Sequence, residues 1–125
     1  MRVLLVEDSP DLRHLFARVL KGSGFEVCEA ANGREALECL PGFVPDVVLT
    51  DLMMPELDGF ELIRLLRAMP TMAEVPIVAM TAAATNTTER EVRRAGAADF
   101  LEKPFGSREL LDRLDELYPL SPLRE

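Results

Sequence analysis

Three carboxylates, one hydroxyl and one amine stand at or directly after the ends of short apolar runs of this 125-residue chain. These residues are Glu7, Asp8, Asp51, Thr81 and Lys103. Carboxylates that lie close together repel one another, and at an effective dielectric of about 20 a pair about 4 Å apart costs about 4 kcal/mol. Such a cluster favours either a raised carboxyl pKa or a bound cation. A hard, oxygen-liganded divalent ion such as Mg²⁺ would fit it.

An amine and a hydroxyl beside a divalent ion suit a phosphoryl group. Lys103 would neutralise one phosphoryl oxygen, and Thr81 would donate a hydrogen bond to another. Asp51 is then the candidate nucleophile, because a carboxylate can accept a phosphoryl group as an aspartyl phosphate. Each residue alone could be a helix cap or a polar loop residue, as Asp8 near the first predicted helix illustrates. The position of all five at the ends of apolar runs favours a shared phosphoryl-accepting site over five separate caps or loop residues.

The elements that would position these residues alternate between short apolar runs and amphipathic stretches. Five runs predict strands, at Val3–Val6, Phe25–Cys28, Asp46–Thr50, Pro76–Thr81 and Asp99–Glu102. The first, third and fourth runs are continuously apolar, which is typical of strands covered on both faces. Strand and helix alternation at this spacing predicts an α/β fold, a parallel sheet with helices on both faces. Ligands bind beyond the carboxyl ends of such strands, where the five polar residues would meet.

Capping residues predict where the helices between the strands begin. The predicted caps are Ser9 with Pro10, Asn32 with Glu35, Asp58 with Glu61, Thr88 with Glu91, and Ser107. Apolar residues at helical spacing predict the buried face of each helix, and in the third they are Leu62, Leu65, Leu66 and Met69. Asp58 and Gly59 are interpreted as a helix cap and a turn.

Composition excludes several classes of function. The net charge is −8, so the chain lacks the basic face that direct nucleic-acid binding needs. No apolar run approaches the ~18 residues of a membrane helix, and we expect a cytoplasmic protein with no membrane contact. Cys28 and Cys39 could pair in principle, but they are expected to be reduced thiols, as is usual in that compartment. The single histidine, His14, excludes a multi-histidine zinc site and is interpreted as a half-exposed helix residue.

Four motifs together resemble the receiver domain of two-component response regulators. They are V-E-D at residues 6–8, D-L-M-M-P-E-L-D-G at 51–59, M-T-A-A-A at 80–84 and F-L-E-K-P-F at 100–105. The resemblance extends from Arg2 to about Tyr118. It implies a flavodoxin-like, doubly wound (βα)5 fold with strand order 2-1-3-4-5 over residues 1–118, followed by a tail or linker start at 119–125.

The resemblance also implies a role for each acidic residue. Asp51 would be the phosphoacceptor. Asp8 would contact Mg²⁺ directly, and Glu7 would contact it through water. The backbone carbonyl of Met53 would complete the protein ligands of the metal, with no role for the Met53 side chain.

Further roles concern the phosphoryl group and the signal. Thr81 and Lys103 would bind the phosphoryl oxygens, and the Lys103–Pro104 peptide bond is expected to be cis. Phe100 matches the aromatic switch position. When phosphoryl oxygens draw Thr81 inward, Phe100 could rotate into the vacated space and bias the surface of the fourth helix, fifth strand and fifth helix.

The resemblance implies a signalling switch rather than an enzyme with a separate substrate. The domain would catalyse its own phosphotransfer from a histidine kinase or histidine phosphotransfer protein, and its own dephosphorylation. It would control a downstream protein or output domain, and it would be a monomer or a weak homodimer. The arginines at 90, 93 and 94 fit either a solvated helix face or part of the output surface.

Other functions fit the residues less well. Haloacid-dehalogenase-like phosphatases carry a second aspartate two residues after the nucleophile, where this chain has Met53. A Rossmann or P-loop site is disfavoured because Gly22 and Gly24 precede a strand and no GKS or GKT sequence occurs. A flavodoxin would lack the acidic cluster. A pseudo-receiver, which keeps the fold without phosphorylation, remains an alternative that the intact residue set disfavours.

Overall fold

The computed structural model describes residues 1–117, in which strands and helices alternate. The elements are β1 Arg2–Val6, α1 Pro10–Gly22, β2 Glu26–Ala30, α2 Gly33–Cys39, β3 Val47–Asp51, α3 Gly59–Ala68, β4 Ile77–Thr81, α4 Thr88–Ala95, β5 Asp99–Glu102 and α5 Ser107–Leu117. Single 3-10 turns follow α2 and α3, at Leu40–Gly42 and Pro70–Met72. Tyr118 and the predicted tail at 119–125 lie outside the described residues.

The five strands form one parallel sheet in the order β2-β1-β3-β4-β5, which confirms the predicted fold class. Val6 of β1 is level with Ala30 and Thr50, and Thr81 of β4 is level with Glu102. The strands therefore end together at one edge of the sheet. This register brings to that edge the residues that follow β1 and β5 and the last residues of β3 and β4.

Alternate strand residues supply two apolar layers, one on each face of the sheet. Leu4 and Val48 pack with apolar residues of α2, α3 and α4. Leu5 and Leu49 pack with apolar residues of α1 and α5 on the opposite face. β3 and β4 are buried along their whole length, as their continuous apolar character predicted. Among residues 1–117, no helix is both long enough and apolar enough to cross a membrane.

Three predicted helix caps are confirmed by hydrogen bonds. Ser9 Oγ accepts from the Leu12 N–H at 3.4 Å, and Asn32 Oδ1 accepts from the Glu35 N–H at 2.8 Å. Asp58 Oδ1 accepts from the Glu61 N–H at 2.9 Å. These caps fix where α1, α2 and α3 begin, and α5 begins at Ser107 as predicted.

The predicted capping role of Thr88 is wrong. Thr87 is the N-cap residue of α4, and Thr88 is already helical and buried. Thr88 Oγ1 instead accepts from the Thr85 N–H at 2.8 Å, while Thr87 Oγ1 donates to Glu91 Oε1 at 3.0 Å. Three threonine hydroxyls near the helix start compete for the same backbone groups, so their types alone do not reveal which one caps.

The predicted buried face of α3 is rotated from its observed position. Leu62, Ile63 and Leu66 are fully buried, whereas Leu65 is 44% exposed. The sequence prediction counted Leu65 and omitted Ile63. An apolar run at 62, 63, 65 and 66 is compatible with either face, and contact with the sheet decides between them.

Cys28 and Cys39 form a disulfide, so the expectation of two reduced thiols is wrong for this structure. Cys28 lies in the edge strand β2, and Cys39 ends α2, which packs beside it. Their Cα atoms are 7.1 Å apart, and both residues are half-buried against the core. The connection from β2 to α2 brings the two sulfurs together, so the pairing that the sequence left possible but disfavoured is the one found.

Candidate functional site

The predicted carboxylates meet at the carboxyl edge of the sheet. Glu7 and Asp8 follow β1, and Asp51 ends β3. One carboxylate oxygen from each of the three residues lies within 4.8 Å of the other two. Glu7 and Asp51 are buried and Asp8 is exposed, so the cluster opens to solvent on the Asp8 side. The geometry confirms that the three acids share one place.

Glu7 is 1% exposed, and its polar groups are all engaged. Its Oε1 accepts from Lys103 Nζ at 2.5 Å, and its Oε2 accepts from the Ser9 N–H at 3.1 Å. Its backbone carbonyl accepts from Arg13 Nη1 at 2.9 Å. Glu7 is therefore held rigidly, and its buried charge is balanced by the Lys103 ammonium.

Lys103 links the buried carboxylates to one another. Its Nζ lies 3.4 Å from Asp51 Oδ2 as well as within hydrogen-bond distance of Glu7. The lysine backbone N–H donates to the Thr81 carbonyl at 2.8 Å, which continues the pairing of β5 with β4. The Lys103–Pro104 bond is cis, as predicted. The ammonium thus stands beside the candidate nucleophile.

Asp51 is 5% exposed, and its Oδ1 accepts from the Met53 N–H at 3.3 Å. Burial is the largest cause that raises the pKa of Asp51, to about 6, and the negative charge of Glu7 adds to it. The Lys103 ammonium and the Met53 N–H oppose the increase. A carboxylate that is buried beside another negative charge is stabilised by a nearby cation or by the loss of its own negative charge.

Gly59 holds the Asp51 loop in place through its lack of a side chain. A Cβ at this position would overlap the Asp51 carbonyl and lie 2.6 Å from Leu52 Cα. The Gly59 N–H donates to the Leu52 carbonyl at 3.0 Å. The sequence interpretation of Gly59 as a turn residue missed this contact, because only the fold shows how closely α3 approaches β3.

Thr81 and Phe100 occupy the predicted switch region. Thr81 is 2% exposed, and its Oγ1 accepts from the Ala83 N–H at 3.1 Å, which leaves its hydroxyl hydrogen available to donate. Phe100 is half-buried and packs at the edge of the layer formed with α2, α3 and α4. Phe100 is level with Ala79, two residues before Thr81 on the neighbouring strand.

Met53, Ser9 and Arg13 lie beside the acidic cluster and contact its carboxylates or backbone. The Met53 side chain is 64% exposed, and the Met53 backbone N–H donates to Asp51. Ser9 and Arg13 were not singled out as site residues, although both orient Glu7. Their position just after V-E-D is the signal that could have identified them.

A doubly wound parallel sheet with acids, a threonine and a lysine at one edge defines the receiver class of α/β domain. The family model described as "Response regulator receiver domain" matches residues 3–115. The chain belongs to this family and is a phosphorylation-dependent signalling switch.

Relatives and solved structures agree with this assignment. Response regulator MprA of Mycolicibacterium vanbaalenii is 40% identical over 117 residues, which are 94% of this chain and 50% of that protein. Chemotaxis protein CheY4 of Vibrio cholerae superposes with a TM-score of 0.88 at 34% identity, covering 92% of this chain and 96% of that one. The receiver domain of the Pseudomonas aeruginosa sensor histidine kinase PA1611, solved with magnesium in its active site cleft, gives 0.84 at 34% identity, with 92% and 94% covered. The chain spans half of MprA.

Proposed function

We propose that Asp51 accepts a phosphoryl group from the phosphohistidine of a histidine kinase or a histidine phosphotransfer protein. The observation that carries this proposal is the position of Lys103 Nζ, which lies between buried Glu7 and Asp51, 3.4 Å from Asp51 Oδ2. A buried carboxylate with a fixed ammonium beside it is suited to attack an incoming phosphoryl group, because the ammonium stabilises the negative charge on the phosphoryl oxygens.

The donor set also fits Mg²⁺. Glu7, Asp8 and Asp51 supply hard carboxylate oxygens within one small volume, and the backbone carbonyl of Met53 is the further proposed ligand. The magnesium in the related PA1611 receiver domain supports the same assignment here. When bound, Mg²⁺ neutralises charge on the carboxylates and on the phosphoryl oxygens.

The residues of the chain have separate roles in the transfer. The bond between the donor histidine nitrogen and phosphorus breaks while a bond forms between an Asp51 carboxylate oxygen and phosphorus, and the imidazole leaves. Lys103 pairs with one phosphoryl oxygen, and the Thr81 hydroxyl donates to another. Glu7 keeps Lys103 in position, because it accepts from Nζ at 2.5 Å and is itself held by Ser9 and Arg13.

Hydrolysis would reset the switch, with water replacing the carboxylate at phosphorus and inorganic phosphate leaving. Met53 and Ala83 stand two residues after Asp51 and Thr81. Both are apolar, so their side chains cannot orient the attacking water by hydrogen bonding. The domain would therefore supply this reaction with the same groups that serve phosphotransfer.

The signal would travel from Thr81 to the surface of α4, β5 and α5. Thr81 would move toward the phosphoryl oxygens, and Phe100 would rotate into the vacated space. Asp99 accepts from Arg93 of α4 at 3.4 Å and from Arg113 of α5 at 3.1 Å. These bonds tie both helices to β5, so a shift beside Phe100 would change the surface that they share.

This surface would control a downstream protein or an output domain of a longer chain. We propose a monomer or weak homodimer in the cytoplasm, with no direct nucleic-acid or membrane binding by this domain. The net charge of −8 supports the exclusion of nucleic acid.

Protons should compete with Mg²⁺ at Asp51. Since burial and Glu7 raise the pKa of Asp51 to about 6, its carboxyl carries a proton in the metal-free protein below that pH. We expect the affinity for Mg²⁺ to be nearly constant above about pH 7 and to fall about tenfold per unit well below pH 6. Isothermal titration at pH values from about 4.5 to about 8 would measure the Mg²⁺ affinity on both sides of the Asp51 pKa. In Asp51→Asn, the fall around pH 6 should disappear, and its persistence there would assign the proton to another group.

A nitrogen–phosphorus donor tests the proposed function without a cognate kinase. Phosphoramidate carries the same type of bond as phosphohistidine. We expect intact-mass analysis to show one added phosphoryl group with Mg²⁺ and none with a chelator. If no adduct appears, a beryllofluoride titration would distinguish rapid hydrolysis, in which the analogue binds, from a pseudo-receiver, in which it does not.

A further inference from the structure

Three exposed arginines near one another lack partners in the described part of the chain. Arg64 lies on α3, and Arg90 and Arg94 lie on α4. Within residues 1–117, none of the three forms an ion pair or a hydrogen bond, whereas Arg93 of the same helix pairs with Glu89 and Asp99. In a chain of net charge −8, unpaired positive charge on one face is unexpected, because acids are abundant.

Two of these arginines, Arg64 and Arg94, border an open groove between α3 and α4. The groove has a volume of about 540 Å³ and is lined by Asp58, Phe60, Arg64, Glu91, Arg94 and Ala95. Arg94 also lines a second depression on the outer side of α4, together with Arg90. Arg94 is common to both depressions, and we call the surface that the two form together the α3–α4 groove.

The acids of the α3–α4 groove are already engaged. Asp58 Oδ1 caps α3 by accepting from the Glu61 N–H, and Glu91 Oε1 accepts from the Thr87 hydroxyl. Both acids lie near the amino-terminal ends of their helices, where negative charge is favourable. Neither forms an ion pair with Arg64 or Arg94, so the N–H groups of both guanidiniums remain free to donate to an external carboxylate.

An apolar strip adjoins the arginines. Phe60 is half-buried and lines both the α3–α4 groove and a smaller cavity next to it. That cavity is also lined by Met53, whose side chain is 64% exposed. An exposed methionine beside an aromatic ring offers an adaptable contact for one apolar side chain. The surface thus combines an apolar strip with three unpaired cations.

We propose that the α3–α4 groove binds an acidic segment of a partner protein that carries one apolar anchor residue. The anchor would contact Phe60 and Met53, and flanking carboxylates would pair with Arg64, Arg90 and Arg94. Guanidinium groups pair with carboxylates through two parallel hydrogen bonds, which gives such contacts direction. Nucleic acid fits less well, because the remaining surface is strongly acidic and would repel phosphates.

A synthetic probe tests this docking surface. The probe is a short fluorescein-labelled peptide with glutamates on both sides of one leucine, and its control peptide carries glutamine in place of each glutamate. We expect fluorescence polarisation to show saturable binding of the acidic peptide that weakens as salt is added. The double variant Arg64→Ala/Arg94→Ala should bind about tenfold more weakly. Arg18→Ala on α1, also exposed and unpaired among residues 1–117, should bind as the parent does.

Further measurements keep the result independent of folding and of the proposed phosphorylation. Circular dichroism and phosphorylation by phosphoramidate should be unchanged in the double variant. The charge-reversed variant Arg64→Glu/Arg94→Glu should bind a lysine version of the peptide and lose the glutamate version. Absence of saturable binding by the parent, or equal binding by the double variant, would overturn the proposal. Binding of duplex DNA at the same arginines as tightly as the acidic peptide would assign the groove to nucleic acid and overturn the proposal. Self-association of the parent that the double variant abolishes would assign the groove to a second copy of the chain and overturn the proposal as well.

Discussion

Asp51→Asn should abolish phosphoryl incorporation from a small donor, with a loss of more than about 10³-fold. Asparagine keeps the size and shape of the side chain, so the loop held by Met53 and Gly59 should survive. The amide oxygen cannot serve as the nucleophile that forms an acyl phosphate. Intact-mass analysis in the presence of Mg²⁺ measures the result. Asp112→Asn, on the exposed face of α5, is the matched control and should be phosphorylated normally.

The same substitution should stabilise the metal-free protein at neutral pH. The pKa of Asp51 is raised from 3.8 to about 6, so the folded state holds a proton that the unfolded state releases between these values. The stability contributed by Asp51 is therefore present below about pH 4 and is lost as pH rises through 6. In Asp51→Asn the charge is absent, so the free energy of unfolding at pH 7 without Mg²⁺ should rise by on the order of 1–3 kcal/mol. Unchanged or lower thermal stability of Asp51→Asn in chelator would contradict this electrostatic account.

Lys103→Met should have the second largest effect, because it removes charge while keeping most of the side-chain volume. We expect phosphorylation to slow by about 10²–10³-fold, as when a preorganised charged donor is lost from an active site. The buried carboxylate of Glu7 also loses its ammonium partner, which was 2.5 Å away. Phosphorylation by phosphoramidate, quenched at successive times and followed by intact mass, would give the rate of phosphorylation. Lys21→Met, at an exposed lysine on α1, provides the control.

Metal affinity should move in the opposite direction in Lys103→Met. The ammonium repels a divalent cation and partly neutralises Asp51, from which it is 3.4 Å away. Its loss should therefore tighten Mg²⁺ binding, on the order of tenfold, while phosphorylation slows. Tighter metal binding with slower transfer would assign Lys103 to the phosphoryl group. If metal binding and transfer were both lost, the lysine would instead be needed to keep the acidic cluster folded.

Much of the site could be predicted because it depends on where strands end. Glu7 and Asp51 follow apolar runs and Thr81 ends one, and parallel strands in register bring such positions to one edge. The central strands were clear in the sequence because both of their faces are covered, which demands continuous apolar residues. No knowledge of side-chain contacts was needed for either conclusion.

Features that depend on packing between elements were not predictable in the same way. The contact of Gly59 with the Asp51 carbonyl reflects how closely α3 approaches β3. The exposure of Leu65 depends on the rotation of α3 against the sheet, and the Cys28–Cys39 disulfide on the position of α2 beside the edge strand. Each involves the relative placement of two elements, which a local sequence pattern does not contain.

Direct mapping of the phosphorylated residue tests the central claim most directly. Borohydride reduces an aspartyl phosphate to homoserine, which marks the acceptor by a change in peptide mass. After phosphorylation with phosphoramidate and Mg²⁺, we predict homoserine at position 51 alone, and none in samples treated with chelator. A mark at Glu7 or Asp8, or phosphate incorporation that leaves position 51 unmodified, would contradict the assignment of Asp51 as the phosphoacceptor.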